Sequence, residues 1–594
     1  TLLAYDSSTY VGYPYAANGR NVATNNGGNV YAVNATVIIS NGAAIANGLA
    51  LNYGGGAYLS TSTLVLVHNG SIGSYNGTYQ TNEAERGGGV YLHASALRAE
   101  SGCEVMLGRA SSRGGGILAD RSSLTLTGAR VQHNVCNSMG GGIYLVDTCA
   151  FSATNTLLAN NTANQYGGAV YVALGDAMMV HLQDCRLTNN HAAFHGGALR
   201  WYSRGALTAA ACYVAYNDAG SDGGAVAVAE HTGTLHFVAC DVRRNRAGRH
   251  GGAWYAEKGS LVIDQSEAQW NTADENASGS GDGGALYVSG PARAELRCEF
   301  ATAFQYNQAV NGGAVYARNA ATVSVATTAY PFQFAQNVAR DTGGGICADN
   351  ATVALGYGTT VSGNSAGYGG GIFATNGAQV VCNSTNIGMV FVTGNQARMS
   401  GGGICAISSG TVVRAYGTWI GTHLFLENAP NIAHGASTLH GGGGVAVLDG
   451  ARWEAVNSRI SFNVSSNRGG GLLADASAVM MESSFAGGPV PQPLTRLRNN
   501  TARYGGAVFC EDSVVSIAAA DISSNRAHTA VGGVELIGGR GDVVNCLLAH
   551  NTASNAGAIA AVFSGQLTLR HCTIAQNGTN GIVTDFGGVC TLTN

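Results

Sequence analysis

Tyr166-Gly-Gly-Ala-Val170, His195-Gly-Gly-Ala-Leu199 and Asp222-Gly-Gly-Ala-Val226 decide how this chain is read, because they state one rule three times in succession. In each copy an asparagine, Asn161, Asn190 or Asn217, stands nine residues before the closing aliphatic residue. A Gly-Gly pair sharpens a turn, a small third residue admits close backbone packing, and the aliphatic residue opens a strand buried against its copies. Working outward, the closing residue recurs at Val30, Ala57, Val90, Ile117 and Ile143 before this stretch. After it come Trp254, Leu286, Val315, Ile346, Ile372, Ile404, Val445, Leu472, Val508 and Val534, with weaker copies near Ile559 and Val589. The chain thus holds about twenty repeats averaging roughly 29 residues, a period in the solenoid range.

Between motifs lie short apolar stretches broken by Gly, Asn, Ser and Asp, such as Met178-Met179-Val180-His181-Leu182, and none sustains a helical period for three turns. The expected fold is all-β: a right-handed parallel β-helix, or β-solenoid, of about twenty coils, each with three short strands and three turns. Pro291, Pro331, Pro430, Pro489, Pro491 and Pro493 fall in the longer spacings, where the chain leaves the ladder. Residues 1–25 read as an N-terminal cap or connector, and 26–594 as a single β-helix with insertions near 271–283, 405–443 and 484–500. The asparagines before the turns, among them Asn190, Asn245, Asn337, Asn395 and Asn525, are expected to point inward and stack as a ladder.

Composition narrows the function classes. Of 594 residues 88 are glycine, and 30 basic side chains nearly balance 34 acidic ones, with Lys258 the only lysine. That balance argues against nucleic acid as a partner, which calls for a basic stripe. No apolar run reaches the length of a membrane-spanning helix, so the chain is not expected to be membrane-embedded. A start at Thr1, with repeat already under way by Asn26, leads to the expectation of an exported product, extracellular or at a cell surface.

The alternation of Gly-Gly-Ala-[Ile/Leu/Val] with a motif of the Phe-x-x-Asn type resembles the polymorphic outer-membrane protein repeats of chlamydiae and related Gly-rich β-helix repeats of other secreted proteins. The resemblance runs from about Asn26 to Val589 and implies a right-handed β-helix at a cell surface serving adhesion or structure. In this chain the Phe is usually replaced, as in Leu187-Thr188-Asn189-Asn190, and no C-terminal set of barrel strands follows.

The best candidate for chemistry is the column before Gly-Gly, where successive rungs place His195, Asp222, His250 and Asp282. Stacked at about 4.8 Å, alternating His and Asp suit a metal or acid and base roles. Equally, polar residues at a solvent-facing turn vary freely, and the same column holds Tyr166, Asn311 and Thr342. A polysaccharide lyase or hydrolase needs clustered carboxylates, and no Asp or Glu register recurs in three neighbouring rungs. The loop Asp274-Glu275-Asn276 with Asp282 offers oxygen ligands for calcium but is better explained by a solvated glycine-rich loop. No cofactor and no metal site is expected.

Five of the fourteen cysteines share a register five residues before the ladder asparagine: Cys185, Cys212 and Cys240 in consecutive coils, and Cys546 and Cys572. Stacked neighbours suit a disulfide, Cys185–Cys212 or Cys212–Cys240 and Cys546–Cys572, or small buried core residues. Cys347 and Cys405 lie two rungs apart with Phe373 between and are expected to be unbonded. Among the Asn-x-Ser/Thr sequons, Asn34, Asn69, Asn76, Asn276, Asn350 and Asn383 are the glycosylation candidates, whereas Asn463, Asn499 and Asn577 are expected inward on the ladder. The long spacings carry Trp419, His423, Phe425 and His434, and Gly487 to Pro493, as material for recognition. A non-enzymatic structural or adhesive surface protein is therefore expected, its partners being further copies of the chain, other surface proteins or glycans. A carbohydrate-active enzyme and a glycan-binding module are the alternatives.

Overall fold

The computed structural model of the chain describes residues 2–4, 10–11, 20–75, 78–229, 233–274, 279–298, 302–327, 330–383, 389–422, 429–435, 437, 439–484 and 495–593. Every regular element among them is a strand. They form two compact units, one of residues 1–281 with 285–287 and 292–294, the other of 282–284, 288–291 and 295–594. Each unit is a parallel β-solenoid, and counted over both there are about 20 turns.

A turn of the coil has four strands rather than the expected three. One turn runs Ile143–Val146, Ala150–Thr154, Leu157–Ala159 and Thr162–Ala163, which belong to the first, second, third and fourth sheets in that order, and the last of these is only two residues long. A two-residue strand shows no alternation in sequence, so the fourth side of the coil is invisible until the coils stack. The next turn lies in register on it, with Ile143 against Val170, Phe151 against Val180, Leu158 against Leu187 and Ala163 against Ala192.

The longer strands alternate. In Ser123–Thr127 the two leucines are buried and Ser123, Thr125 and Thr127 are exposed, the pattern of a strand with one face on the core. The strand after Gly-Gly differs: Val170–Val172 and Val226–Val228 are buried on both faces. Its outward residue is covered because the residue before Gly-Gly folds over it. In unit one, Tyr144 and Tyr171 stack at 5.1 Å with Tyr166 tilted across Tyr171 at 6.4 Å.

The two glycines of the motif do different work. Gly223 has φ +68°, a left-handed conformation costly for residues with a Cβ. A Cβ on Gly224 would sit 2.2 Å from the Gly252 carbonyl oxygen and 2.4 Å from that of Arg246, so backbone from the next coil excludes it. Gly224→Ala is expected to destabilise unit one by about 2 kcal/mol, read as faster hydrogen exchange in the amides of 217–254 than in those of unit two.

The asparagine ladder forms inside each unit. Asn217 is fully buried; its Oδ1 accepts from the main-chain N–H and the Nδ2 of Asn190, both at 3.0 Å, and its own Nδ2 donates to the Leu187 carbonyl at 2.9 Å and to Asn245 Oδ1 at 3.0 Å. Asn134, Asn161, Asn190 and Asn245 repeat this set in unit one. Asn337, Asn364, Asn395, Asn431, Asn463, Asn500, Asn525 and Asn551 repeat it in unit two.

Several expectations are corrected. Asn499 is not a ladder residue: it is exposed at φ 56°, and its neighbour Asn500 turns inward. Val589 pairs with Gln566 in the second sheet, while the residue that continues the Gly-Gly column beyond Ile559 is Ile582. Trp419 does not lie in a recognition loop; it opens the strand Trp419–Gly421, 8% exposed, between Phe391 and Arg459 in register. His423, Phe425 and the segment Gly487 to Pro493 lie outside the described residues.

Of the two readings of the cysteine register, the disulfides, Cys185–Cys212 or Cys212–Cys240 and Cys546–Cys572, are not formed; all fourteen cysteines are free thiols, with Cys185, Cys212, Cys240 and Cys546 buried. The sulfurs of this register lie against carbonyls as well as against one another. Cys185 Sγ lies 3.3 Å from the carbonyl oxygens of both Ala153 and Gln183, and Cys212 and Cys240 repeat the arrangement. At the same register Thr156 and Ser458 donate their hydroxyls to equivalent carbonyls, so the column is a turn-satisfying one that takes Ser, Thr or Cys. Cys347 and Cys405 flank Phe373 in register.

Candidate functional site

The column before Gly-Gly is partly covered at Tyr166, His195 and His250 and buried at Asp222 and Asp282. Asp222 is 0% exposed and gathers His195, Arg249 and His250 about one carboxylate. Arg249 grips it with both prongs, Nε to Oδ1 at 3.0 Å and Nη2 to Oδ2 at 2.7 Å. The main-chain N–H of His250 donates to Oδ1 at 3.2 Å, and Ser221 Oγ donates to Oδ2 at 3.2 Å. His195 Nδ1 lies 3.1 Å from Oδ2, near enough for an ion pair but off the line of a well-formed hydrogen bond. Burial pushes the Asp222 carboxyl up, while the His195 ring and the Arg249 fork outweigh it and hold the group well below the usual carboxylate range.

The four predicted residues are not one site. The His250 ring stacks on Tyr287 at 4.5 Å instead of turning to Asp222, and His195 stacks flat on Tyr166 at 5.3 Å. Asp282 belongs to unit two, where its Oδ1 accepts from Asn311 Nδ2 at 2.9 Å. The cluster sits where the outward column of the first sheet narrows to Ala227 between Arg200 and Tyr255. A bidentate ion pair there fills the gap in the aromatic stack and clamps one coil to the next. Among the described residues no three His, Cys, Asp or Glu side chains gather as a metal-holding group.

A second constellation in unit one was missed by sequence reasoning. The residue before nearly every ladder asparagine is left-handed, and in three consecutive coils it is Tyr216, Arg244 and Trp270, at φ 58°, 54° and 59°. Tyr216 is 45% exposed and Trp270 46%. Arg244 Nη1 donates to the Tyr216 hydroxyl at 3.0 Å, with its guanidinium 5.7 Å from the centre of that ring. Beside them the fourth sheet stacks His191, Asp218 and Arg246 in register. His191 Nδ1 lies 2.8 Å from Asp218 Oδ2, and the hydrogen bond raises the imidazole's pKa against the effect of burial. Together these side chains line an open groove of about 870 Å³. Nothing in the spacing of Tyr216, Arg244 and Trp270 separates them from drift at a turn; only the shared left-handed position brings them into one line.

Glu535 was missed too. It occupies the outward position of the first sheet between Phe509 and Ala560, 5% exposed, with no partner for Oε2. Burial pushes its carboxyl up to about 7. A raised folded-state value means the folded chain holds the proton more tightly than the unfolded one. The associated stability is complete below the unfolded value of about 4.3 and is lost as pH rises to about 7, on the order of 4 kcal/mol in all. Glu535→Gln is expected to flatten that decline and to stabilise unit two at pH 8 by roughly 2 kcal/mol, measured by hydrogen exchange at pH 5 and 8.

Of the glycosylation candidates, Asn34, Asn69, Asn350 and Asn383 are exposed, the first three at turns with φ 51°, 66° and 49°. Asn76 and Asn276 lie outside the described residues. With fold and sites in view, comparison of the chain with family models, curated proteins and solved structures finds no match.

Proposed function

We propose that this protein is a secreted or cell-surface β-solenoid that acts as a non-enzymatic adhesive scaffold, with glycan as the ligand of unit one. The observation that carries the proposal is the exposed pair Tyr216 and Trp270 flanking Arg244. Aromatic rings offer flat apolar faces on which the C–H face of a pyranose packs, while guanidinium and carboxylate groups beside them read hydroxyls. The two rings stand two coils apart, roughly 9.6 Å by the spacing of paired strands, the reach of two sugar rings laid end to end along the stack. Left-handed backbone costs a bulky residue about 1–2 kcal/mol, and Asn or Gly would avoid that cost. The same left-handed position holds His133, Gln336, Phe462 and His550 in other coils, so it is the exposure of Tyr216 and Trp270 on one line with Arg244 between them that supports use of their side chains.

The test is a glycan array with the full chain, followed by titration of the best ligand and an assay for new reducing ends. Trp270→Ala and Tyr216→Ala are each expected to weaken binding roughly tenfold or more without changing the circular dichroism spectrum. Release of reducing ends by the wild type, abolished in Asp218→Asn, would replace the adhesive assignment with the carbohydrate-active enzyme. Binding unchanged in both aromatic variants would remove the groove from the account.

A further inference from the structure

We infer that unit two carries a separate pocket for an oxyanion, the sulfate ester or carboxylate of an acidic glycan, formed by Arg459, Arg496 and Arg498 beside Trp419. The second site uses a different unit and different chemistry from the groove, and rests on the proposed function only for its choice of a glycan as the bearer of the anion.

The arginines arise from the third sheet. Arg459 and Arg496 are direct partners on adjacent strands, and Arg498 follows two residues later on the same face. Like charges placed opposite each other on paired strands are destabilising, so folding alone gives no reason for this arrangement. Compensation within the chain is incomplete. Asp521 pairs with Arg498, and among the described residues no carboxylate lies within ion-pair distance of Arg459 or Arg496. Three positive charges thus face one negative.

The hydrogen-bonding account points the same way. The Nε groups of Arg459, Arg496 and Arg498 are all buried without a partner. A buried unsatisfied donor costs more when it belongs to a charged group, and an oxyanion seated among the three forks satisfies several such donors at once. Arg459 is held in place by Trp419, whose ring centre lies 4.2 Å from the guanidinium carbon. Burial, with Arg496 and Arg498 adding like charge, pulls the Arg459 guanidinium below its ordinary value. The pocket measures about 230 Å³ and is rimmed by Thr422, Ser461 and Asn499. Hydroxyl and amide groups around a cationic floor suit an anion borne on a hydroxyl-rich ring better than a bare ion.

The experiment uses the full chain and five probes: inorganic sulfate, inorganic phosphate, a sulfated tetrasaccharide, a tetra-uronate and a neutral tetrasaccharide. Binding is followed by calorimetry and by the thermal shift of unit two. The sulfated or the uronate tetrasaccharide, whichever source the pocket takes, is expected to bind more tightly than the inorganic ions, and the neutral one not at all. Arg459→Gln and Arg496→Gln are each expected to weaken the acidic glycan roughly tenfold or more. Neither removal of like charge should lower the melting temperature of the free chain, so loss of binding is distinguished from loss of fold. Trp270→Ala should leave this binding intact, separating its failure from failure of the groove. Wild-type affinity in both arginine variants overturns the proposal, as does neutral binding equal to acidic. Binding of inorganic phosphate with neither acidic glycan overturns the glycan as source.

Discussion

Asn217→Ala is expected to open unit one at its middle, with a loss of about 4 kcal/mol. The estimate follows from what the side chain leaves behind. Asn190 loses the acceptor for both its main-chain N–H and its Nδ2, the Leu187 carbonyl loses a donor, and Asn245 Oδ1 loses one of its two. Each group is buried, and a buried group left unsatisfied costs about 1–3 kcal/mol. Because a solenoid's stability is a sum of coil and interface terms, the damage stays local. Hydrogen exchange should accelerate in the amides of 187–247 while unit two is unaffected. Uniform slow exchange across the coil would mean that the ladder is not what holds the turns. Asn217→Asp should fare no better at neutral pH, since a carboxylate cannot donate to Leu187 or Asn245.

Asp222→Ala is the other large effect expected, about 2–3 kcal/mol, because it leaves the half-exposed Arg249 fork and His195 without the carboxylate that both face. The acid limb follows from the same geometry. Asp222 is held well below its usual range, so its contribution is complete above about 3.9, the unfolded value, and is lost progressively as pH falls from there through the depressed folded value. Unit one should therefore lose stability as pH falls below about 4, and Asp222→Asn, less stable at neutral pH, should lack that acid-dependent decline. Limited proteolysis between pH 2 and 6 measures it: equal acid sensitivity of wild type and Asp222→Asn would show that the ion pair contributes nothing to the clamp.

The column of His195, Asp222, His250 and Asp282 shows how far spacing reaches. Its shared register was legible because each residue stands immediately before Gly-Gly. Its role was not, since whether a turn residue faces water or folds over the strand depends on the side chain beneath it. Over Tyr171 the column takes Tyr166, whereas over the small Ala227 it takes an ion pair. The cysteine register was equally visible at Cys185, Cys212 and Cys240, yet equal spacing does not distinguish sulfur meeting sulfur from sulfur meeting a carbonyl.

By itself the sequence determined the solenoid, its period, the Gly-Gly turns and the inward asparagines, because each is a strictly local requirement repeated once per coil: a positive φ at Gly223, backbone contact at Gly224, an amide at Asn217. Only the tertiary structure decided the fourth side of the coil, the burial of Asp222 and Glu535, and the gathering of Tyr216 with Trp270 and of Arg459 with Arg496. Those depend on which residues of neighbouring coils, some 25 to 40 positions apart in the chain, come to lie about 4.8 Å from one another. No pattern within one repeat carries that information, since the partner's identity varies freely while its position does not.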